Sequence, residues 1–174
     1  LSEKLPSPQI HSLELYFAGD TMNLLIGTNR GLSRYAIQKN SIVEAVVTDT
    51  NSARGLLSNH IQHICHDADG FTWFGSEKGI SANKRKTWIE YDVNFLLERD
   101  TVKTMQVSQM GTGFVGTSNG VYLLEKKVDA ITGATNYTVP WAGLPSNNIL
   151  VVYLLPNGSQ WFGTDRGAAY HSQI

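Results

Sequence analysis

Between His60 and Asp67 the chain gathers side chains that could bind a metal: His60, His63, Cys65, His66 and Asp67. In an extended segment alternate residues share a face, so His63, Cys65 and Asp67 point one way and His66 the other. Three such ligands could make a tetrahedral zinc site with one open position. The competing reading is a sheet strand with polar residues near the middle of the fold. Ile61 shares the same face, and the corresponding stretch, Ile149 to Leu155, is apolar apart from Tyr153. The strand reading accounts for the segment, so neither a metal nor another cofactor is expected.

Other chemical signatures dissolve on inspection. Gly111-Thr112-Gly113-Phe114-Val115-Gly116 spells the dinucleotide fingerprint, but that motif works only where a parallel strand opens into a helix. Here it spans a hairpin turn and enters another strand. Asp67-Ala68-Asp69-Gly70 begins like a calcium loop and lacks the later glutamate. Asn136-Tyr137-Thr138 and Asn157-Gly158-Ser159 satisfy the glycosylation sequon, the second within a turn. The serines lie mainly in turns, where hydroxyls bond local backbone, and no nucleophile elbow or placeable carboxylate pair occurs.

What positions these residues is a repeat. Four segments share one phrase: Leu25-Ile26-Gly27-Thr28-Asn29-Arg30-Gly31, Trp73-Phe74-Gly75-Ser76-Glu77-Lys78-Gly79, Phe114-Val115-Gly116-Thr117-Ser118-Asn119-Gly120 and Trp161-Phe162-Gly163-Thr164-Asp165-Arg166-Gly167. The first glycines are spaced by 48, 41 and 47 residues, the period of propellers and solenoids. A second phrase precedes three of them: Gly55-Leu56-Leu57-Ser58-Asn59-His60-Ile61, a weaker copy from Leu97 to Val102, and Gly143-Leu144-Pro145-Ser146-Asn147-Asn148-Ile149. Its closing Ile or Val stands fourteen residues before the glycine in all three. Near the N-terminus Leu5-Pro6-Ser7-Pro8-Gln9-Ile10 stands seventeen away. Either this unit carries a three-residue insertion or Leu13 takes the place of the Ile.

Asp69-Gly70 and Asn157-Gly158 suggest two-residue type I′ hairpins. Each unit then reads as strand A (61–66 or 149–155), strand B (72–76 or 160–164), strand C (80–83 or 168–171) and, in the longer gaps, strand D (42–48, 87–91 or 136–139). The second glycine suits a left-handed turn, and the first removes a side chain where a neighbouring sheet approaches. Trp73, Phe114 and Trp161 are expected to wedge between sheets as core. The fold class is all-β, with four four-stranded antiparallel repeats forming β-propeller blades. The chain reads as one propeller segment, residues 1–174, with repeats near 5–48, 56–91, 97–139 and 144–174. No outer strand of the last unit follows its third strand, unless Leu1 to Lys4 supplies one.

The composite phrase, Leu-Pro-Ser-Asn-Asn-Ile followed by Asn-Gly and Trp-Phe-Gly-Thr-Asp-Arg-Gly, resembles the two-component regulator propeller repeat of bacterial hybrid histidine kinase sensor regions. The resemblance runs from about Leu5 to His171. It implies seven-bladed propellers outside the cytoplasm, in the periplasm or beyond, which in several members help to detect oligosaccharides and signal to a kinase. Four units therefore imply a part of a larger propeller, a half-propeller pairing with a second copy, or a four-bladed ring closed by strand exchange. End blades left unclosed would show an apolar face to water, which remaining blades or another chain would cover.

Fourteen basic and fifteen acidic residues give a net charge of −1, without the basic surplus of a nucleic-acid binder. No apolar run approaches a membrane span, so no membrane insertion by this segment is expected. The single Cys65 allows no internal disulfide. The loop entering strand A and the B–C turn emerge on one rim, which makes Asn29, Arg30, Asn59, Glu77, Lys78, Asn119, Asn147, Asp165 and Arg166 the candidate ligand contacts, joined by Trp88 or Trp141 as ring-stacking surfaces. The resulting expectation is a non-enzymatic sensing or interaction module for an oligosaccharide or similar polar ligand. The alternative is a propeller enzyme, a polysaccharide or cyclic ester lyase, with its site near the central channel around His60 to Asp67.

Overall fold

The computed structural model describes residues 5–46, 55–84, 87–92, 97, 100–108, 112–127 and 130–172. They form four separate antiparallel sheets. Blade 1 is β1 (Ile10–Ala18), β2 (Thr21–Thr28), β3 (Gly31–Ala36) and β4 (Ser41–Val46). Blade 2 is β5 (Ile61–His66), β6 (Thr72–Ser76), β7 (Gly79–Lys84) and β8 (Thr87–Asp92). Blade 3 is β9 (Thr104–Val107), β10 (Gly113–Gly116), β11 (Val121–Lys127) and β12 (Ala130–Tyr137). Blade 4 is β13 (Ile149–Leu154), β14 (Gln160–Thr164) and β15 (Gly167–His171). Within each sheet the strands lie in sequence order. Successive blades pack through their first strands, β1 on β5, β5 on β9 and β9 on β13. This is the architecture of β-propeller blades, and the described residues contain no α-helix.

Three hydrophobic clusters fill the three joints. Leu25, Leu32, Ile61, Ile64 and Phe74 lie between blades 1 and 2. Trp73, Ile80, Val102, Met105, Val115 and Tyr122 lie between blades 2 and 3. Phe114, Val121, Ile149, Val152 and Phe162 lie between blades 3 and 4. Each fully buried aliphatic or aromatic side chain contributes about 1.5–3 kcal/mol, so the joints hold the array together. Within the repeated phrase, the residue before the glycine faces the preceding blade and the one before that faces the next.

The glycines behave as the repeat requires. Gly31, Gly79, Gly120 and Gly167 have φ of 126°, 134°, 120° and 130°, a region open to glycine. A Cβ on Gly27 would meet Ile61 Cγ2 at 2.8 Å, and one on Gly116 would meet Ile149 Cγ2 at 2.5 Å. At Gly75 the same space is filled by Val102. The Ile or Val that closes the second phrase therefore enters a notch left by the preceding blade's glycine, while its fixed distance from the glycine of its own blade is that of the A–B hairpin, in which Ile61 pairs with Ser76 and Ile149 with Thr164.

Several sequence expectations change. Trp73 is 1% exposed and Phe114 4%, but Trp161 is 45% exposed, because among the described residues no sheet packs against that face of blade 4. In blade 1 Ile10 pairs with Thr28 as Ile61 pairs with Ser76 and Ile149 with Thr164, each followed by a ladder irregularity. Ile10 thus holds the opening position, and Leu13 does not. The three extra residues lengthen the β1–β2 hairpin by the pairs Tyr16–Asn23, Phe17–Met22 and Ala18–Thr21. The expected type I′ turns are absent at both Gly70 and Gly158: only the glycine has positive φ, 84° in each. Gly70 N bonds Asp67 O and Gly158 N bonds Leu155 O, the pattern of a three-residue loop ending in a left-handed glycine. Strand D begins at 130 in blade 3, well before the expected 136. Residues 47–48 of the first strand D, the segment Leu1 to Lys4 and Gly111 lie outside the described residues.

Candidate functional site

His63 and Cys65 share a face, opposite Gly75 and Trp73 in the ladder, but Ile61 does not join them. The irregularity between Ile61 and His63 turns Ile61 and Ile64 together toward blade 1, where both approach Gly27, while Cys65 packs with Trp73 and Met105 on the other side. Asp67 lies past the strand end. Its Oδ1 accepts from Phe71 N and its Oδ2 from Trp73 Nε1, both at 2.9 Å. Burial pushes the Cys65 thiol far above its ordinary value, and neighbouring Glu14 and Asp67 add to the effect. His60 and His66 sit at opposite ends of β5, roughly 20 Å apart at the rise of a strand. Among the described residues no three His, Cys, Asp or Glu side chains converge as a metal site.

The predicted rim exists, and its turns are built alike. Thr28, Ser76, Thr117 and Thr164 each donate their hydroxyl to the carbonyl three residues on, at 2.8, 3.0, 3.1 and 2.8 Å. Each also accepts the amide two residues on, that of Arg30, Lys78, Asn119 or Arg166, at 3.0 to 3.2 Å. Ser7, Ser58 and Ser146 likewise accept the amide two residues on, at 3.1, 3.0 and 3.1 Å. These small-residue positions are structural.

Most rim candidates are engaged with neighbours. Asn29 donates to Gln9, and Glu77 accepts from Ser58 and lies 3.4 Å from His60 Nδ1. Asn147 Oδ1 accepts from Val139 N at 2.7 Å. The Asn119 carbonyl accepts from Asn136. Asp165 accepts from Asn148 at 3.1 Å, and bonds from Ser146 and Asn148 hold its carboxyl below the usual range. Asn59 is half-buried beside them. Arg30, Lys78 and Arg166 have exposed side chains at one repeated position, a ring of like charge on the mouth. Trp141 is sandwiched between Tyr137 and His171, with ring centroids 4.4 and 5.1 Å away, so its faces are taken. Trp88 belongs to β8, beside the C–D hairpin, away from this rim.

Trp88 instead lines a feature the sequence did not reveal. A cleft of about 550 Å³ opens between blades 1 and 2. Blade 1 contributes Tyr16, Phe17, Leu25, Arg34 and Glu44; blade 2 contributes His66, Thr72, Phe74, Asn83 and Trp88. Tyr16 and Phe17 are part of the hairpin extension, so the insertion builds one wall. Arg34 Nε pairs with Glu44 Oε2 at 2.9 Å, and Asn23, also in the extension, stands 3.5 Å from Arg34 Nη1. On the facing wall His66 Nδ1 lies 3.1 Å from Thr72 Oγ1, and Phe74 and Trp88 have centroids 5.5 Å apart. Burial lowers the His66 pKa, which keeps the ring neutral near pH 7. The imidazole Nε2 is buried without a hydrogen-bond partner. The one sequence clue was the seventeen-residue spacing. The cleft combines aromatic surfaces with a paired cation and carboxylate, a donor–acceptor set suited to a neutral polar ring.

Residues 55–78 match the two component regulator propeller family. No curated protein matches the sequence. The extracellular domain of a putative hybrid two component system from B. thetaiotaomicron is similar in fold, with a TM-score of 0.70 and 20% identity over 94% of this chain. Another B. thetaiotaomicron extracellular domain, from a putative one component system, gives 0.54 and 18% over 94%. The chain spans only 21% and 27% of those two structures. A catalytically inactive virginiamycin B lyase from Staphylococcus aureus gives 0.66 at 12% identity, over 95% of this chain and 53% of the lyase. No described helix is long and apolar enough to cross a membrane.

Proposed function

We propose that this chain is a non-enzymatic ligand-sensing module in the extracytoplasmic part of a two-component receptor, and that it takes up an oligosaccharide or similar small polar ligand in the cleft between blades 1 and 2. The cleft is the observation that carries the reading. A pyranose offers an apolar face of C–H groups and a rim of hydroxyls. Trp88 and Tyr16 match the first, while Arg34, Glu44 and Asn83 match the second with donors and acceptors on fixed strands. Pockets of a few hundred cubic ångströms with few convergent polar groups are the usual form of small-ligand sites. The extracellular two-component domains that share the fold support the cellular setting. The rim of Arg30, Lys78 and Arg166 then serves as a contact surface for an adjoining domain or for an acidic group of the ligand.

Titration calorimetry with neutral cello-, xylo- and malto-oligosaccharides tests the reading. Binding by one series, weakened at least tenfold by Trp88→Ala and by Arg34→Ala, is expected. Binding that ignores both cleft substitutions and responds to Arg30→Ala with Lys78→Ala moves the site to the rim. Failure of every neutral glycan to bind removes the oligosaccharide reading.

A further inference from the structure

The face that blade 2 turns toward blade 3 is apolar. Phe71 just before β6, Trp73 on β6, Ala82 on β7 and Ile89, its ladder partner on β8, fill that joint as core. The same places in blade 1, counted from the repeated glycines, hold Asn23, Leu25, Arg34 and Glu44, with Arg34 directly opposite Glu44 in the ladder. Blade 3 has no charge there either, since Leu123 stands opposite Thr135. Three positions that are apolar in blade 2 have thus become an amide, a cation and a carboxylate, and the cleft lies where they stand. The group is built, not incidental. Asn23 is 0% exposed; its Nδ2 donates to Thr21 O at 3.0 Å, and its Oδ1 stands 3.5 Å from Arg34 Nη1. Glu44 Oε2 accepts from Arg34 Nε at 2.9 Å, so the guanidinium is held from two sides. Arg34 and Glu44 are the only formally charged side chains among the described residues lining the cleft.

The structure assigns to Glu44 the selection of ligand by charge: paired with Arg34, it lets the cleft take an uncharged hydroxylated ring and refuse an anionic one. The inference rests on the cleft being the ligand site and names what that site selects. A ligand carboxylate entering this space gives up water, and the one cation that could offset the loss is already neutralised across the ladder. It would also sit beside a like charge. A hydroxyl meets neither penalty, because the carboxylate keeps lone pairs to accept it and the guanidinium fork keeps N–H groups to donate.

Calorimetry with matched probes tests it: cello- and malto-oligosaccharides against the same chains with each C6 alcohol oxidised to a carboxylate, and xylo-oligosaccharides with and without a glucuronic acid branch. The native chain is expected to bind a neutral member and to hold its acidic counterpart about tenfold more weakly or worse. Glu44→Gln keeps the shape of the side chain and frees the cation. The ratio of acidic to neutral affinity should then rise about tenfold, and added salt should shrink that gain. Combining Glu44→Gln with Arg34→Gln removes the cation as well and should abolish the gain, with a native far-ultraviolet spectrum confirming that each variant folds. A native chain that binds both members of a pair equally overturns the inference, as does a ratio unmoved by Glu44→Gln or a gain that survives the loss of Arg34. Where such a result comes with neutral binding that Trp88→Ala weakens, the cleft stands as the ligand site and only its selection by charge fails. If neither the native chain nor Glu44→Gln binds any probe, the cleft reading falls and this inference with it.

Discussion

The joint between blades 2 and 3 and the free face of blade 4 are written in nearly the same letters. Trp73-Phe74-Gly75 and Trp161-Phe162-Gly163 occupy equal places in their sheets, paired with Cys65 and Tyr153 respectively on the first strand. Phe74 and Phe162 are both buried against the blade before them. The tryptophans diverge: Trp73 is enclosed by blade 3, and Trp161 stands open. A repeat phrase encodes the shape of a surface, and only the neighbour decides whether that surface becomes core.

Substitutions at matched positions sharpen this contrast. Trp73→Ala should cost about 3–5 kcal/mol in urea melts, whereas Trp161→Ala, measured on dilute single chains, should fall within about 0.5 kcal/mol of the native protein. Equal losses at the two sites would mean that blade 4 is covered within one chain. Next in size is Gly116→Ala, whose new methyl meets Ile149 and Thr104 and should cost about 1–3 kcal/mol by overpacking. Gly163→Ala meets only Val151 and should cost less. Thr117→Val, which strips a buried turn of its hydroxyl bonds, should lose about 1–2 kcal/mol, and Thr164→Val on the exposed end less than half of that. A thiol reagent should leave Cys65 untouched in the folded chain and label it only after denaturation, because blade 3 seals its side of β5.

The smallest effect concerns pH. Burial lowers the pKa of His63 and of His66 below the ordinary 6.5. The unfolded chain therefore binds protons more tightly than the folded one, and stability falls as pH drops below about 6.5, reaching its full value above it. His63→Gln should flatten the slope of the melting temperature between neutral and mildly acid pH. A slope unchanged in that variant and in His66→Gln would show that neither ring is protected from protonation.

Much of the architecture was legible because each glycine of the phrase has a local duty: Gly79 must turn left-handed and Gly75 must make room. The lengths between phrases announced the hairpin extension of blade 1, and Ile10 settles which residue opens its first strand. The bulge after Ile61 was not legible, since two-residue alternation assumes an unbroken ladder. That error put Ile61 on the face of His63 and Cys65; those two do share a face, opposite Gly75 and Trp73, and the third candidate, Asp67, is held past the strand end by Phe71 N and Trp73 Nε1. The cleft was hidden for a different reason. Arg34 and Glu44 are ten residues apart in blade 1, His66 and Trp88 belong to blade 2, and nothing in a linear pattern says that two sheets will splay at that height.

The hydroxyl that closes each B–C turn has one more consequence. Because Thr28, Ser76, Thr117 and Thr164 hold the loop through main-chain groups alone, the intervening side chains carry none of its conformation. Asn-Arg, Glu-Lys, Ser-Asn and Asp-Arg all ride on one scaffold. Evolution, or a randomised library at Arg30, Lys78, Ser118, Asn119 and Arg166, is thus free to rewrite the mouth's chemistry while the blades beneath it stay put, whereas Asn29, Glu77 and Asp165 also tie the turn to the adjoining loop.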